Sequence, residues 1–247
     1  MRRETQNILL ILLGGALLKI GINGDYLRYV KPAQQPWVIA GGAVMLGLGA
    51  VAIVRDVVSA RVRPPVADGG LTGHGHDGHG HDHPARSAWL LVLPVLAVFL
   101  IAPPALGSDS VTRTDTRVAA PAPAKMDFPP LPAGGVVPLS MTEFVTRAGW
   151  DATGSLNGRT ISLTGFVTHT PNSVLLARMV ITCCAADAFP VTVHLDGAQA
   201  AGYANDTWLE VTGQVVPGTA TRADNYTADF RLATIRRIPA PADPYEE

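Results

Sequence analysis

Cysteine is nearly absent from this chain. The 247 residues include two, Cys183 and Cys184, and these are neighbours in "ITCCAADAFP". Adjacent Cα atoms lie about 3.8 Å apart, closer than an ordinary disulfide spans, so a scaffold stapled by disulfides is excluded. Charge is scarce as well: 16% of the residues are charged against 47% hydrophobic, too apolar a balance for a soluble protein of this length. From Leu139 onward there is no lysine, and seven arginines face eleven acidic residues, a net of −4. That part of the chain lacks the basic track that a nucleic-acid backbone requires. Also missing are a G-x-S-x-G elbow, a phosphate-cradling glycine loop and an H-E-x-x-H pair. Without them no hydrolase, phosphoryl-transfer or zinc-protease chemistry is recognisable, and the chain is expected not to be an enzyme.

What is present is apolar sequence, concentrated in residues 1–106. Crossing a bilayer takes roughly 17–25 residues of helix, and three stretches qualify, at about residues 7–24, 37–54 and 88–106. The first follows Arg2 and Arg3 as a signal peptide would, but it lacks an A-x-A cleavage pattern and reads as a retained span. Arg55, Arg61, Arg63 and Arg86 lie between the second and third stretches, whereas the first loop carries only Arg28 and Lys31. The positive-inside rule therefore places the N-terminus and residues 55–87 in the cytoplasm and everything after the third span outside it. The expected location is the cell membrane, multi-pass. Gly14, Gly15, Gly41, Gly42, Gly47 and Gly49 suit close contact between these spans.

The loop at residues 55–87 contains "GHGHDGHGHDHP", with His74, His76, His79, His81 and His83. Imidazoles interleaved with glycine and aspartate on a pliant backbone can offer several nitrogens to Zn²⁺, Ni²⁺ or Cu²⁺. Such a loop suits buffering or delivery of metal; the plainer reading is a solvated low-complexity segment.

Residues 107–138 are rich in Ser, Thr, Ala and Pro without apolar period, the composition of a disordered tether. A β domain is expected over 139–247. Ser140 and Glu143 have the spacing of a capping box, which predicts one short helix at its start. The runs "RTISLTGFVT", "SVLLARMVIT", "FPVTVHLD", "TWLEVTGQVV" and "FRLATIRRI" are β-branched and several alternate with period two. In the third, Val191, Val193 and Leu195 share one face while Thr192 and His194 share the other. Five short strands suit a small OB-like β-barrel, with Gly165 and Gly213 where strands bend. The fold class is thus a membrane α-helical N-terminal region plus an all-β C-terminal domain.

The succession of spans, tether, "GRTISLTGFV", "ARMVITCCAADAFPVTV", "DTWLEVTGQV" and the terminal "PADPYEE" resembles the YcgQ-like family of bacterial membrane proteins. The most specific element is the CC-x-A-D-A core, here Cys183, Cys184, Ala186, Asp187 and Ala188. The resemblance implies a permease subunit working beside a multi-span partner, and a link with metal homeostasis, notably zinc. The His-rich loop is not part of that pattern.

Three readings of the cysteine pair stay open on the residues alone. As free thiols, Cys183 and Cys184 can act as a two-sulfur metal ligand, with His194, His169 or Asp187 completing the site. As a strained vicinal disulfide they can serve a membrane-anchored thiol redox protein or sensor. As small soft side chains at a bend they can be merely structural, leaving a scaffold that binds only protein. The expectation is an accessory subunit of a permease that presents the thiol site outside the bilayer, with zinc as the candidate metal and no nucleic-acid partner.

Overall fold

The structure is a computed structural model that describes residues 3–62, 92–101, 104–114 and 128–246. The five histidines of the cytoplasmic-loop expectation, at positions 74–83, lie outside the described residues. The chain divides into two compact units, Met1–Tyr26 with Ala33–Pro103, and Leu27–Pro32 with Pro104–Glu247.

The first unit is helical. Helices α1 (Arg3–Asn23) and α2 (Gln35–Val62) are both long and apolar enough to cross a membrane. Trp37, Val44, Leu48, Val51 and Val54 of α2 remain exposed, a surface suited to lipid or to another helix rather than to water. Glycine sets their approach: a Cβ on Gly14 would lie 2.8 Å from the Gly42 carbonyl oxygen, and one on Gly42 3.0 Å from that of Gly14. Gly41 and Gly47, expected to help, face open space instead. In the third apolar stretch the described helix, α3, covers Val92–Ile101, ten residues. Among the described residues, then, two helices rather than three meet the length for a span.

The second unit is built on a seven-stranded sheet: β1 (Val136–Pro138), β2 (Thr160–His169), β3 (Val174–Val180), β4 (Phe189–Asp196), β5 (Trp208–Val215), β6 (Asp229–Arg237) and β7 (Tyr245–Glu246). The five runs read as strands are β2 to β6. Their pairings close on themselves: β2 pairs with β3 and β5, β3 with β4, β4 with β6 in parallel, and β6 with β5. Val191, Val193 and Leu195 point into the main core with Phe144, Ile161, Leu163, Leu209, Val211 and Phe230. Closing five short strands forces backbones together at two places. A Cβ on Gly165 would stand 2.6 Å from the Ala177 carbonyl oxygen, and one on Gly213 would run into that of Arg231, beside a register shift between β5 and β6.

Two further helices flank the sheet. Helix α5 (Met141–Trp150) starts as the capping spacing predicts, with Ser140 Oγ accepting the Glu143 N–H at 3.0 Å. The Glu143 carboxylate does not complete the box; it takes the Arg147 guanidinium instead. The first-turn donors Met141 N and Thr142 N go to Glu246 at 2.8 and 2.9 Å. The stretch expected as a tether is partly ordered. Ser108–Arg113 forms a short helix, α4, because Asp206 accepts Ser108 N–H and Ser108 Oγ at 2.6 and 2.8 Å, and Val111 is buried with Phe166, Ala177 and Met179. Val136–Pro138 adds β1 in parallel to β2.

Candidate metal centre

Strand β3 ends at Val180, and the chain must reverse before β4 begins at Phe189. The reversal is organised by Asp187. One carboxylate oxygen accepts Thr182 N–H and the other Cys183 N–H, each at 2.8 Å. Residues Ala185–Asp187 make a single 3₁₀ turn that brings this carboxylate back beneath the cysteines. Cys183 is exposed, Cys184 half-buried, and both are free thiols.

The reversal is also held from outside the β sequence. Val30 forms an antiparallel bridge with Cys184. Ala185 N–H donates to Tyr29 O at 2.7 Å and Lys31 N–H to Cys183 O at 3.4 Å. The C-terminal tail supports the same region: Tyr245 Oη accepts Leu106 N–H at 3.1 Å and donates to Arg28 O at 2.9 Å. Arg178, stacked over Trp208 at 4.8 Å, donates to the carbonyls of Asp243 and Tyr245.

Ligand atoms of Cys183, Cys184 and Asp187 all lie within 4.8 Å of one another. The two sulfurs are 3.7 Å apart. Two thiolates bound to one tetrahedral zinc at about 2.3 Å would stand about 3.8 Å apart, so the reduced pair already has that spacing. Three donors at an exposed turn leave a coordination position open, as in sites that exchange or transfer metal rather than bury it. The protonated site is held together differently. The Cys183 thiol is pushed up to about 11, first by its hydrogen bond to Asp187 and then by that to Cys184. The Asp187 carboxyl is held below its usual range by the same bond from Cys183 and by the Thr182 N–H. A metal held by Cys183, Cys184 and Asp187 would have to displace the proton on the Cys183 sulfur.

His194 and His169 do not join this group. His194 is paired with Leu175 near the start of β3, whereas the cysteines follow its end, where Val180 pairs with Phe189. Five residues of antiparallel strand separate these ends, about 17 Å. Both histidines line another cavity, and His169 Nε2 is engaged with Tyr203 O at 2.7 Å. The sequence reading also missed Tyr29, Val30 and Lys31, and the only signal for them was their place in the short loop between two apolar stretches.

No curated protein and no solved structure matches the chain. Residues 150–246, which contain both cysteines, Asp187 and strands β2 to β7, match the family described as DUF1980 C-terminal domain.

Proposed function

We propose that this protein is an accessory subunit of a membrane permease in metal homeostasis, holding zinc through Cys183, Cys184 and Asp187 on the outer side of the bilayer. The observation that carries the reading is the 3.7 Å separation of the two reduced sulfurs with a carboxylate in reach. The closed cycle of β2 to β6 has the strand order of a small OB-like barrel, with β4 and β6 parallel. This rigid frame keeps the turn from collapsing when the metal leaves. Exposed apolar side chains along α2 supply a face for the spans of a multi-span partner.

Sidedness has its own support. Leu27–Pro32, the segment that joins α1 to α2, belongs to the β unit and pairs with the cysteine turn. A loop between two bilayer-crossing helices and a domain paired with it must share one side of the membrane. After α2 the chain has to cross once more to return there, and 88–106 is the apolar stretch available for it.

The test is zinc stoichiometry of the full chain in nanodiscs, with free thiols counted before and after mild reductant. One zinc per chain, lost on Cys183→Ser or Cys184→Ser, is the expected result. Thiols that appear only after reduction, with no zinc bound, would assign the pair to redox chemistry and overturn the metal reading. Complementation of a permease-dependent metal phenotype by both serine variants would remove the permease role even if the metal site stands.

A further inference from the structure

Away from the thiol turn, the β unit contains a chemically different feature, a cavity. It has a volume of about 720 Å³, within the usual range for small-ligand sites, and none of the cysteine turn lines it. Its floor is the outer face of β3 and β4, where Leu175, Thr192 and His194 lie opposite the core-facing valines. One wall is the β2–β3 connection with Thr170 and Ser173, another is the segment before β6 with Asp224, Asn225 and Thr227, and the end of α4 closes a third side with Val111, Thr112 and Thr114. In the closed strand cycle these are the second and third strands and the loops after the first and fourth. Five-stranded barrels of this order bind oligonucleotides or oligosaccharides at that position.

The lining decides between the two ligand classes. Among the described residues it includes no lysine, no arginine and none of Phe, Tyr and Trp, and the one acid there is Asp224. A phosphate backbone would find no counter-charge and bases no stacking platform. What the lining offers is Thr and Ser hydroxyls, an amide and imidazoles, groups that match the hydroxyls of a neutral sugar as both donors and acceptors. Leu175 and Pro171 provide apolar patches for the ring faces.

The segment before β6 is held in a costly shape. Asn225 and Tyr226 are consecutive non-glycine residues at φ 50° and 59°. For a bulky residue such as Tyr226 this is an outlier that the surroundings must enforce. They do so: Tyr226 stacks on Trp150 at a 4.9 Å centroid distance, Tyr226 N–H donates to Thr221 O at 2.7 Å, and Thr227 N–H to Asp224 O at 2.9 Å. The strain fixes Asn225 and Thr227 at the rim of the cavity. We infer that this cavity is a binding site for a neutral, polyhydroxylated ligand, an oligosaccharide segment, distinct from the thiol centre.

The experiment uses the full chain in nanodiscs, free of sugar-headed detergent. Labelled tetra-N-acetylglucosamine, maltotetraose and a broad array of neutral glycans are the probes, with an oligothymidylate as the competing class. The expected result is saturable binding of a neutral glycan with protection of residues 169–173 and 222–227 from hydrogen exchange. His194→Ala and Asn225→Gly each weaken it about tenfold or more, the loss of one good hydrogen bond. Glycine keeps the left-handed backbone at 225, so that variant tests the amide rather than the fold. Cys183→Ser leaves glycan binding unchanged. No retention of any neutral glycan, binding that both variants leave intact, or preference for the oligothymidylate overturns the proposal.

Discussion

Asp187 does two jobs with one carboxylate, and both reach Cys183. It closes the turn through Thr182 N–H and Cys183 N–H, and it accepts the Cys183 thiol. The folded chain therefore holds that proton more tightly than an unfolded one. The hydrogen bond stabilises the turn fully below the ordinary thiol range, and its contribution is lost as pH rises toward about 11. A thiol kept protonated is also a poor nucleophile near neutral pH. Removing the negative charge should release it: Asp187→Asn is expected to speed alkylation of Cys183 by iodoacetamide by about tenfold or more at mildly alkaline pH. An unchanged rate would mean that Asp187 serves the backbone alone. Metal binding should carry the opposite signature. Each thiol proton displaced contributes about one unit of log affinity per pH unit, so with both thiols giving up their protons zinc should bind about a hundredfold tighter per unit between roughly pH 6 and 8. An isothermal titration series would show a flat profile if no proton leaves.

Elements are fixed here by points of close approach and by the tail that ties them. A methyl group at Gly213 has nowhere to go, because the obstruction is the Arg231 carbonyl and the Phe230 ring of the neighbouring strand. Gly213→Ala should cost about 1–3 kcal/mol, whereas Gly202→Ala, with open space around it, should stay within about 0.5 kcal/mol in thermal unfolding. Tyr245→Phe removes two hydrogen bonds to backbone groups at a buried position and should cost about 1–3 kcal/mol. Strands β2 to β6 were legible because β-branched runs, several of them alternating, persist over seven to ten residues; β4 occupies Phe189–Asp196 as its run predicts. Strands β1 and β7, three and two residues long, carry no period to read. Helix α4 looked like linker because what orders it, the Asp206 carboxylate, arrives from far along the chain. In the site, adjacency revealed the cysteines and Asp187, but register did not show in the sequence. Imidazole chemistry alone recommended His194, and strand pairing puts it at the far end of β4.

At the scale of the whole molecule, the proposed sidedness draws on two different observations. By the positive-inside rule, the distribution of arginine is expected to put residues 55–87 in the cytoplasm. The bridge from Val30 to Cys184 ties the first loop to the β unit, so with α1 and α2 as spans the proposal requires an odd number of crossings between α2 and Pro104. A reporter active solely in the cytoplasm should therefore work when fused after Pro84 and fail after Pro138, and one active solely outside should show the reverse. Cysteine accessibility gives a second readout on the unmodified chain: an impermeant thiol reagent applied to intact cells should label Cys183, the exposed thiol of the pair. Cytoplasmic activity at both fusion points, with labelling only after lysis, would place the thiol centre inside. The pairing of Val30 with Cys184 would then put the α1–α2 connection in the cytoplasm as well, leaving both ends of α2 on one side so that α2 could not cross the bilayer. That outcome would leave the metal chemistry of the site untouched but would end its assignment to the outer face of a permease.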